Sequence, residues 1–437
     1  MKRVKWLSLV MAVVMMLSTM ASCKSSGGGS ADSSSGSAQG GTKELNVWAW
    51  DVEYNIPVMK EAAKRYEATH PDVKINVTEY SYDDIIQKLN TNLASGITDG
   101  LPDIILSEDG SVQKYLNSFP GAFYDMTKKI DFSKFAEYKV KNLTLNGKVY
   151  GVPFDTGTEA LFYRKDYMDK AGVTESDLKE ITWDQYIQIA KKVKQKTGKN
   201  MLTLDPNSAN FMGDAMRSSG TWYFTEDGKP NMAGNPALLE SLRVYKDLMN
   251  SGTVKQTTSW GELAAALNNG DVATITSGCW IVPTITAEKS QSGLWRITQM
   301  PRLNISGGGN YGNRGGSNWM ILSASKNADT AADFLTQIFA GDVDFYDTIL
   351  TKIGAVGTYL PASTSKAYEQ DVEFFGGQKI WKTFSDWSKK VPPIYLGVYT
   401  DVADSVMVTS LASYMDGSTN AEETLKKAQE LLKQQIG

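Results

Sequence analysis

Hydrophobic and polar positions alternate from Glu44 to Trp50, with Leu45, Val47 and Ala49 on one side and Asn46, Trp48 and Trp50 on the other. A period of two predicts a strand. Asn55-Ile-Pro57 then opens a helix, with proline early, where its missing N–H costs nothing, and Met59, Ala63 and Tyr66 share one face. Val73, Ile75 and Val77 alternate as a second strand; Ile85, Ile86, Leu89 and Leu93 form a helical stripe; Asp103–Ser107 is a third strand. This βαβαβ order implies a parallel sheet covered by helices. Further on, Ala160–Tyr163, Asp271–Ser277 and Asn318–Leu322 read as strands. Tyr167–Ala171, Trp183–Lys196, Leu238–Met249, the stretch around Leu263 and Leu267, Thr330–Phe339 and Ala421–Gln434 read as helices. Thr182 is a favourable cap for the second of these. At 437 residues the chain exceeds one compact core, so two lobes are expected.

The start of the chain follows a different pattern. Lys2, Arg3 and Lys5 precede an apolar run from Trp6 to Leu17 and a small-residue zone ending at Cys23. That is the layout of a secretory signal, residues 1–22, and the run is too short for a permanent membrane span. A cysteine at the cleavage point resembles a bacterial lipoprotein box, which makes Cys23 the expected lipidation site, although Met20 stands where an aliphatic residue is usual. Residues 23–43 then form a flexible linker rich in Ser and Gly, with an end-to-end distance of roughly 25 Å. The expected location is the extracytoplasmic cell envelope.

Composition narrows the chemistry. Removing Lys2, Arg3 and Lys5 with the signal takes the formal charge from −4 to −7, and an acidic surface disfavours nucleic acid. The single histidine, His70, sits before Pro71 at a helix end, and two cysteines cannot supply a zinc site. No metal or other cofactor is expected. Gly307, Gly309 and Gly312 match a dinucleotide fingerprint by spacing, but no strand leads into them and no helix follows, so they read as a loop before a strand. Asp83 and Asp84 suit a helix's first turn. Glu108 and Asp109 follow a parallel strand at its carboxyl end, where open α/β sheets bind ligands.

Tryptophans carry the strongest hint. Trp50, Trp222, Trp280 and Trp319 each lie near a strand end or in a glycine-flanked loop. An indole stacks on the apolar face of a pyranose and still offers an N–H. Asp51 and Asp155 would accept hydrogen bonds from sugar hydroxyls.

Several phrases, in order, resemble the extracellular solute-binding proteins of ATP-driven carbohydrate importers, the group that includes maltose-binding protein. They are Leu45–Trp50 with Tyr66–Ile75, Gln87–Asn90 with Leu101–Ile105, Asn146–Pro153 with Ala160–Asp166, Thr182–Asp184, Asn269–Ala273 and Ala331–Leu335. The resemblance runs from about 44 to about 430. It implies an α/β, two-lobe periplasmic-binding-protein fold with hinge strands and an interlobe cleft. Crossovers would fall near 152–159, 310–317 and 355–360. Lobe 1 would comprise 44–153 plus 314–355, and lobe 2 would comprise 154–313 plus 356–437. By position, the resemblance implies cleft roles for Trp50, Asp51, Asp109, Asp155, Trp222, Trp280, Arg314, Gly315 and Tyr359, and Trp319 joins them as a tryptophan after the Gly315-Gly316 turn.

The expected function is a lipid-anchored, monomeric receptor that captures a sugar or oligosaccharide without altering it and passes it to an ABC permease in the cytoplasmic membrane. The rivals are the same fold binding a polyamine, a glycosidase using Glu108 and Asp155, and a sensor that signals to a receptor.

Overall fold

The computed structural model describes residues 42–52 and 54–437. The signal, Cys23 and nearly all of the linker lie outside the described residues.

Two sheets organise the chain. The first runs Val73–Glu79, Lys43–Ala49, Ile104–Glu108, Ser317–Ile321, Val152–Pro153. Its first three strands are parallel and are joined by helices Asn55–Thr69 and Tyr82–Ser95, which is the order that the periodicity predicts. Ser317–Ile321 pairs antiparallel to Ile104–Glu108. Side chains alternate between two cores because the strand period is two. Leu45, Val47 and Leu106 meet Met59, Ala62 and Tyr66 on one face. Trp48, Ile105 and Met320 meet Ile85, Leu89 and Leu116 on the other. Each such aliphatic or aromatic burial contributes about 1.5–3 kcal/mol relative to exposure.

The second sheet has Glu159–Arg164 at its centre, antiparallel to both Thr274–Gly278 and Trp295–Thr298. All six residues of the central strand are buried. Phe162 points to the core that also holds Phe375 and Phe384, and Leu161 and Tyr163 point to a helical layer containing Tyr186, Leu242 and Met407. Helix Trp183–Thr197 begins with a capping box in which Thr182 and Gln185 satisfy each other's backbone N–H. Helices Val343–Ile353, Ile380–Ser388 and Thr400–Met415 occupy a region where the sequence reading assigns none. His70 closes the first helix, stacked on Tyr66 with ring centroids 3.9 Å apart.

Two extended segments, 154–159 and 312–317, connect the sheets, and a third, 355–358, runs beside them. Phe154 N–H donates to Ser317 O at 3.1 Å, and Glu159 N–H to Gly312 O at 3.0 Å. Arg314 N–H donates back to Gly157 O at 2.9 Å. On the other flank, Thr156 N–H donates to Val356 O and Thr358 N–H to Phe154 O, both at 3.0 Å. A Cβ at Gly157 would overlap the carbonyl oxygen of Arg314, so glycine permits this approach. Gly157→Ala is expected to cost about 1–3 kcal/mol, as overpacking does, read from the shift of the urea unfolding midpoint. An unchanged midpoint would contradict such close pairing.

Candidate functional site

The connecting segments carry a buried polar network. Asp155 Oδ1 accepts from Ser317 N–H and Ser317 Oγ–H, each at 2.7 Å, and Asp155 Oδ2 accepts from the Tyr54 hydroxyl at 3.1 Å. Burial pushes the Asp155 carboxyl up from its ordinary value, opposed by the nearby Lys139 ammonium and the Ser317 donors. Lys139, fully buried, forms an ion pair with Asp109 and donates to Ser317 O at 3.0 Å. Asn318 Nδ2 donates to Asp109 Oδ1 at 2.8 Å. Asn313 Oδ1 accepts from Gly157 N–H and from the Tyr138 hydroxyl, both at 2.9 Å.

Two cavities flank the segment 313–315. The first, about 280 Å³, is lined by Asp205, Asn210, Asp214, Thr257, Ser259, Trp260, Ser277, Trp280 and Arg314 among others. Trp280 follows strand Thr274–Gly278 in a short 3-10 turn, and its indole N–H donates to Arg314 O at 2.8 Å. Trp260 opens helix Trp260–Asn268, capped by Ser259, and stays 53 % exposed with its ring 5.9 Å from that of Trp280. The Arg314 guanidinium lies 5.9 Å from the Trp280 ring centroid and 3.5 Å from Asp214 Oδ2.

The second cavity, about 230 Å³, lies between the end of the first sheet and helices of the other half of the chain. Glu108, Asp109 and Gly110 come from the carboxyl end of the third strand, and Tyr138 and Asn142 lie beside them. Arg217, Trp222, Asp401 and Asp404 face them from the other side, and Asn313 and Gly315 line the space between. Trp222 donates its N–H to Thr400 Oγ1 at 3.0 Å and lies 5.1 Å beneath the Arg217 guanidinium. Burial raises the Asp404 carboxyl to about 6, against the opposing pull of Arg217. Among the described residues, Asn142 Oδ1 has no donor and Arg217 Nε no acceptor. The cavities meet at helix Asn210–Ser218, where Asp214 and Arg217 are joined at 2.6 Å.

Five of the ten residues named for the cleft line these cavities: Asp109, Trp222, Trp280, Arg314 and Gly315. The other five do not. Trp319 is fully buried between Phe154 and Phe339, which corrects its reading as a ligand platform. Tyr359 is likewise a core ring, stacked on Tyr346 at 5.6 Å. Asp155 is committed to Ser317 and Tyr54, as described. Trp50 sits edge-on to Tyr82 at 5.2 Å, and Asp51 accepts from Tyr54 N–H in the turn before the first helix. Of the rival carboxylate pair, Glu108 lines the second cavity, whereas Asp155 is held by Ser317 and Tyr54. Sequence reasoning missed Trp260, Asp214, Arg217, Asp401 and Asp404. The polar run Thr257-Thr-Ser259 before an exposed tryptophan was the available signal for Trp260.

Paired indoles offer flat apolar faces, carboxylates accept from hydroxyls, and arginines donate to oxygens. A polyhydroxylated ring needs this combination. Among the described residues no cluster of ligands suits a metal ion, and no helix is long and apolar enough to cross a membrane.

Comparison with known proteins agrees. A family model described as "Bacterial extracellular solute-binding protein" matches residues 61–376. The chain is 45% identical over 393 residues to the lactose-binding protein of Rhizobium radiobacter, covering 90% of this chain and 93% of that one. It is 27% identical to the arabinooligosaccharide-binding protein of Bacillus subtilis, covering 97% of each. Among solved structures, an extracellular solute-binding protein of family 1 superposes with TM-score 0.75 at 21% identity, covering 90% of this chain and 99% of that one. The ABC-transporter-associated binding protein of B. animalis subsp. lactis, in complex with beta-1,6-galactobiose, does so with TM-score 0.70 at 24% identity, covering 90% and 97%. The fold is therefore the two-lobe periplasmic-binding-protein fold with a cleft between lobes, and the chain belongs to the bacterial extracellular solute-binding protein family.

Proposed function

We propose that this protein is the sugar-binding component of an ABC importer and that its ligand is a galactose-containing disaccharide of the lactose class. The 45% identity to a lactose-binding protein, over nine-tenths of both chains, carries this reading. The cavity chemistry supports it: Trp260 and Trp280 offer stacking faces, Asp205 and Asp404 accept from hydroxyls, and Arg217 and Arg314 donate. The protein alters no bond of its ligand; it holds and delivers it.

The mechanism is differential affinity. Residues 44–153 with 314–355, and 154–313 with 356–437, act as the two lobes. One lobe meets the sugar first, and closure about the connecting segments adds the contacts of the other, so ligand shifts the population toward the closed state. The permease reads that state. Cys23 carries the lipid that keeps the monomer at the outer face of the membrane. A second reading, an amine-bearing solute, is favoured by one observation, the acidic lining of the second cavity by Glu108, Asp401 and Asp404.

Lactose is expected to raise the melting temperature in a thermal-shift screen and spermidine to leave it unchanged, since a ligand that binds only the folded form stabilises it. The reverse result would exchange the two readings. By titration calorimetry with lactose, Trp260→Ala and Trp280→Ala should each cost about 1–3 kcal/mol, as truncated aromatic anchors do. Unchanged affinity would remove that ring from the site. A sugar hydroxyl donates a stronger hydrogen bond to ionised Asp404 than to the neutral acid, so affinity should strengthen as pH rises through about 6. In Asp404→Asn that slope should vanish. A flat profile in the unmodified protein would show that Asp404 does not touch the sugar.

A further inference from the structure

Glu159, the first residue of the central strand of the second sheet, is 1 % exposed. Among the described residues neither of its carboxyl oxygens meets a hydrogen-bond donor. A bare buried carboxylate is costly enough that it takes up a proton instead. Its surroundings show where that proton goes. A Cβ on Gly312 would meet both Glu159 Oε2 and Ser218 Cβ, which puts this carboxyl at the last turn of helix Asn210–Ser218, the helix that carries the Asp214 carboxylate, 4 % exposed and the foremost charge acting on Glu159. Two carboxyl groups in that position are held together by one proton between them. Arg217, from the same helix as Asp214, and Arg314, from the connecting segment, supply the nearby positive charge. From the neighbouring strand only Gly278 lies opposite. Asp404 acts on Arg217 from helix Thr400–Met415. A Cβ at Gly312 would collide with Glu159 Oε2, so the last glycine of the 307–312 run makes room for this carboxyl.

Asp214 is also the shared anchor of both arginines. It holds Arg217 at 2.6 Å over Trp222 in the second cavity and Arg314 at 3.5 Å beside Trp280 in the first. We propose that Glu159 is a positioning residue of the cleft: it stays neutral, donates its proton to Asp214, and so fixes Asp214 where it orients Arg217 and Arg314 toward the ligand. A neutral Glu159 leaves the group of four with one positive charge in excess. Guanidinium N–H groups not used by Asp214, including the unpartnered Arg217 Nε, then remain available for ligand oxygens. An ionised Glu159 would draw both arginines inward and away from the two cavities. This inference rests on the cleft assignment given under the proposed function.

The test has two arms. In the first, lactose is titrated into the full mature chain and its variants. Glu159→Gln, which still offers a donor to Asp214, should bind within roughly threefold of the unmodified protein, whereas Glu159→Leu, which does not, should bind at least about tenfold more weakly. Rescue by glutamine but not leucine separates positioning from mere space filling. Equal binding by all three proteins would overturn the proposal, and so would equal losses in both variants, which would mean that an ionised Glu159 is required. In the second arm, the infrared difference between the unmodified protein and Glu159→Gln at neutral pH should show the C=O stretch of a protonated carboxyl. Its absence overturns the shared proton, whether or not the leucine variant folds. Should the unmodified protein not bind lactose, the sugar assignment is at fault, and the infrared arm decides on Glu159 alone.

Discussion

The pairing of the three extended segments around Asp155 and the Asp109–Lys139 ion pair governs everything else in this structure. Two sheets with separate helical coverings would not by themselves form a site. What sets their spacing is the hydrogen-bonded run 154–159, flanked by 312–317 and 355–358. Its side chains are polar and buried, so each must find a partner inside the protein. Asp155 takes Ser317, Lys139 takes Asp109 and the Ser317 carbonyl, and Asn313 takes Gly157 and Tyr138. Removing one member of a buried ion pair leaves the other uncompensated, which explains why these polar groups sit at the joint as a set. Ser317 contributes from the first sheet, and the other members come from the connecting segments and the helices beside them.

Both cavities open against that joint. Their floor is the segment 313–315; the walls of the first come from the second sheet and the helices beside it, and those of the second come from both sides of the joint. The arrangement suits a ligand with hydroxyls around an apolar ring face. Stacking on Trp280 and Trp260 needs little charge, while the polar rim needs acceptors and donors at fixed places. The two arginines are pre-positioned by Asp214 and by contact with indoles, so little side-chain freedom is lost when a guest arrives. The exposed Trp260 ring is the least constrained of these groups.

Much of this was legible in the sequence, for reasons that can be named. Alternation at Leu45, Val47 and Ala49 and the stripe at Ile85 and Leu89 come from strong periods, and both elements formed as read. Thr182 read as a cap, and the structure adds Gln185 to complete a capping box. Trp280, singled out for its glycine turn and strand end, and Arg314, named by its place in the family resemblance, both line the first cavity. Trp319 shares that local pattern and went to the core, because local pattern does not say which face of a central strand meets solvent. Asp155 looked like a ligand for the same reason; only its long-range partner Ser317, 162 positions away, gives it another task. Asp214 and Arg217 lie on a helix that the reading did not assign, and Asp401 and Asp404 on another whose apolar residues include Val402, Val406, Val408 and Leu411 with no single clean stripe. Glu159 was invisible, since a lone acid in a hydrophobic strand carries no sign of a carboxyl neighbour fifty-five positions on, at Asp214.

The account stands on a sugar held between the two bodies, against the joint. A crystal structure of the mature chain grown with lactose tests that most directly. The account predicts density for a sugar ring on the Trp260–Trp280 faces, with hydroxyls reaching Arg314 and the acidic side chains across the cleft. Density for lactose elsewhere on the protein, with the two cavities holding only solvent, would contradict it.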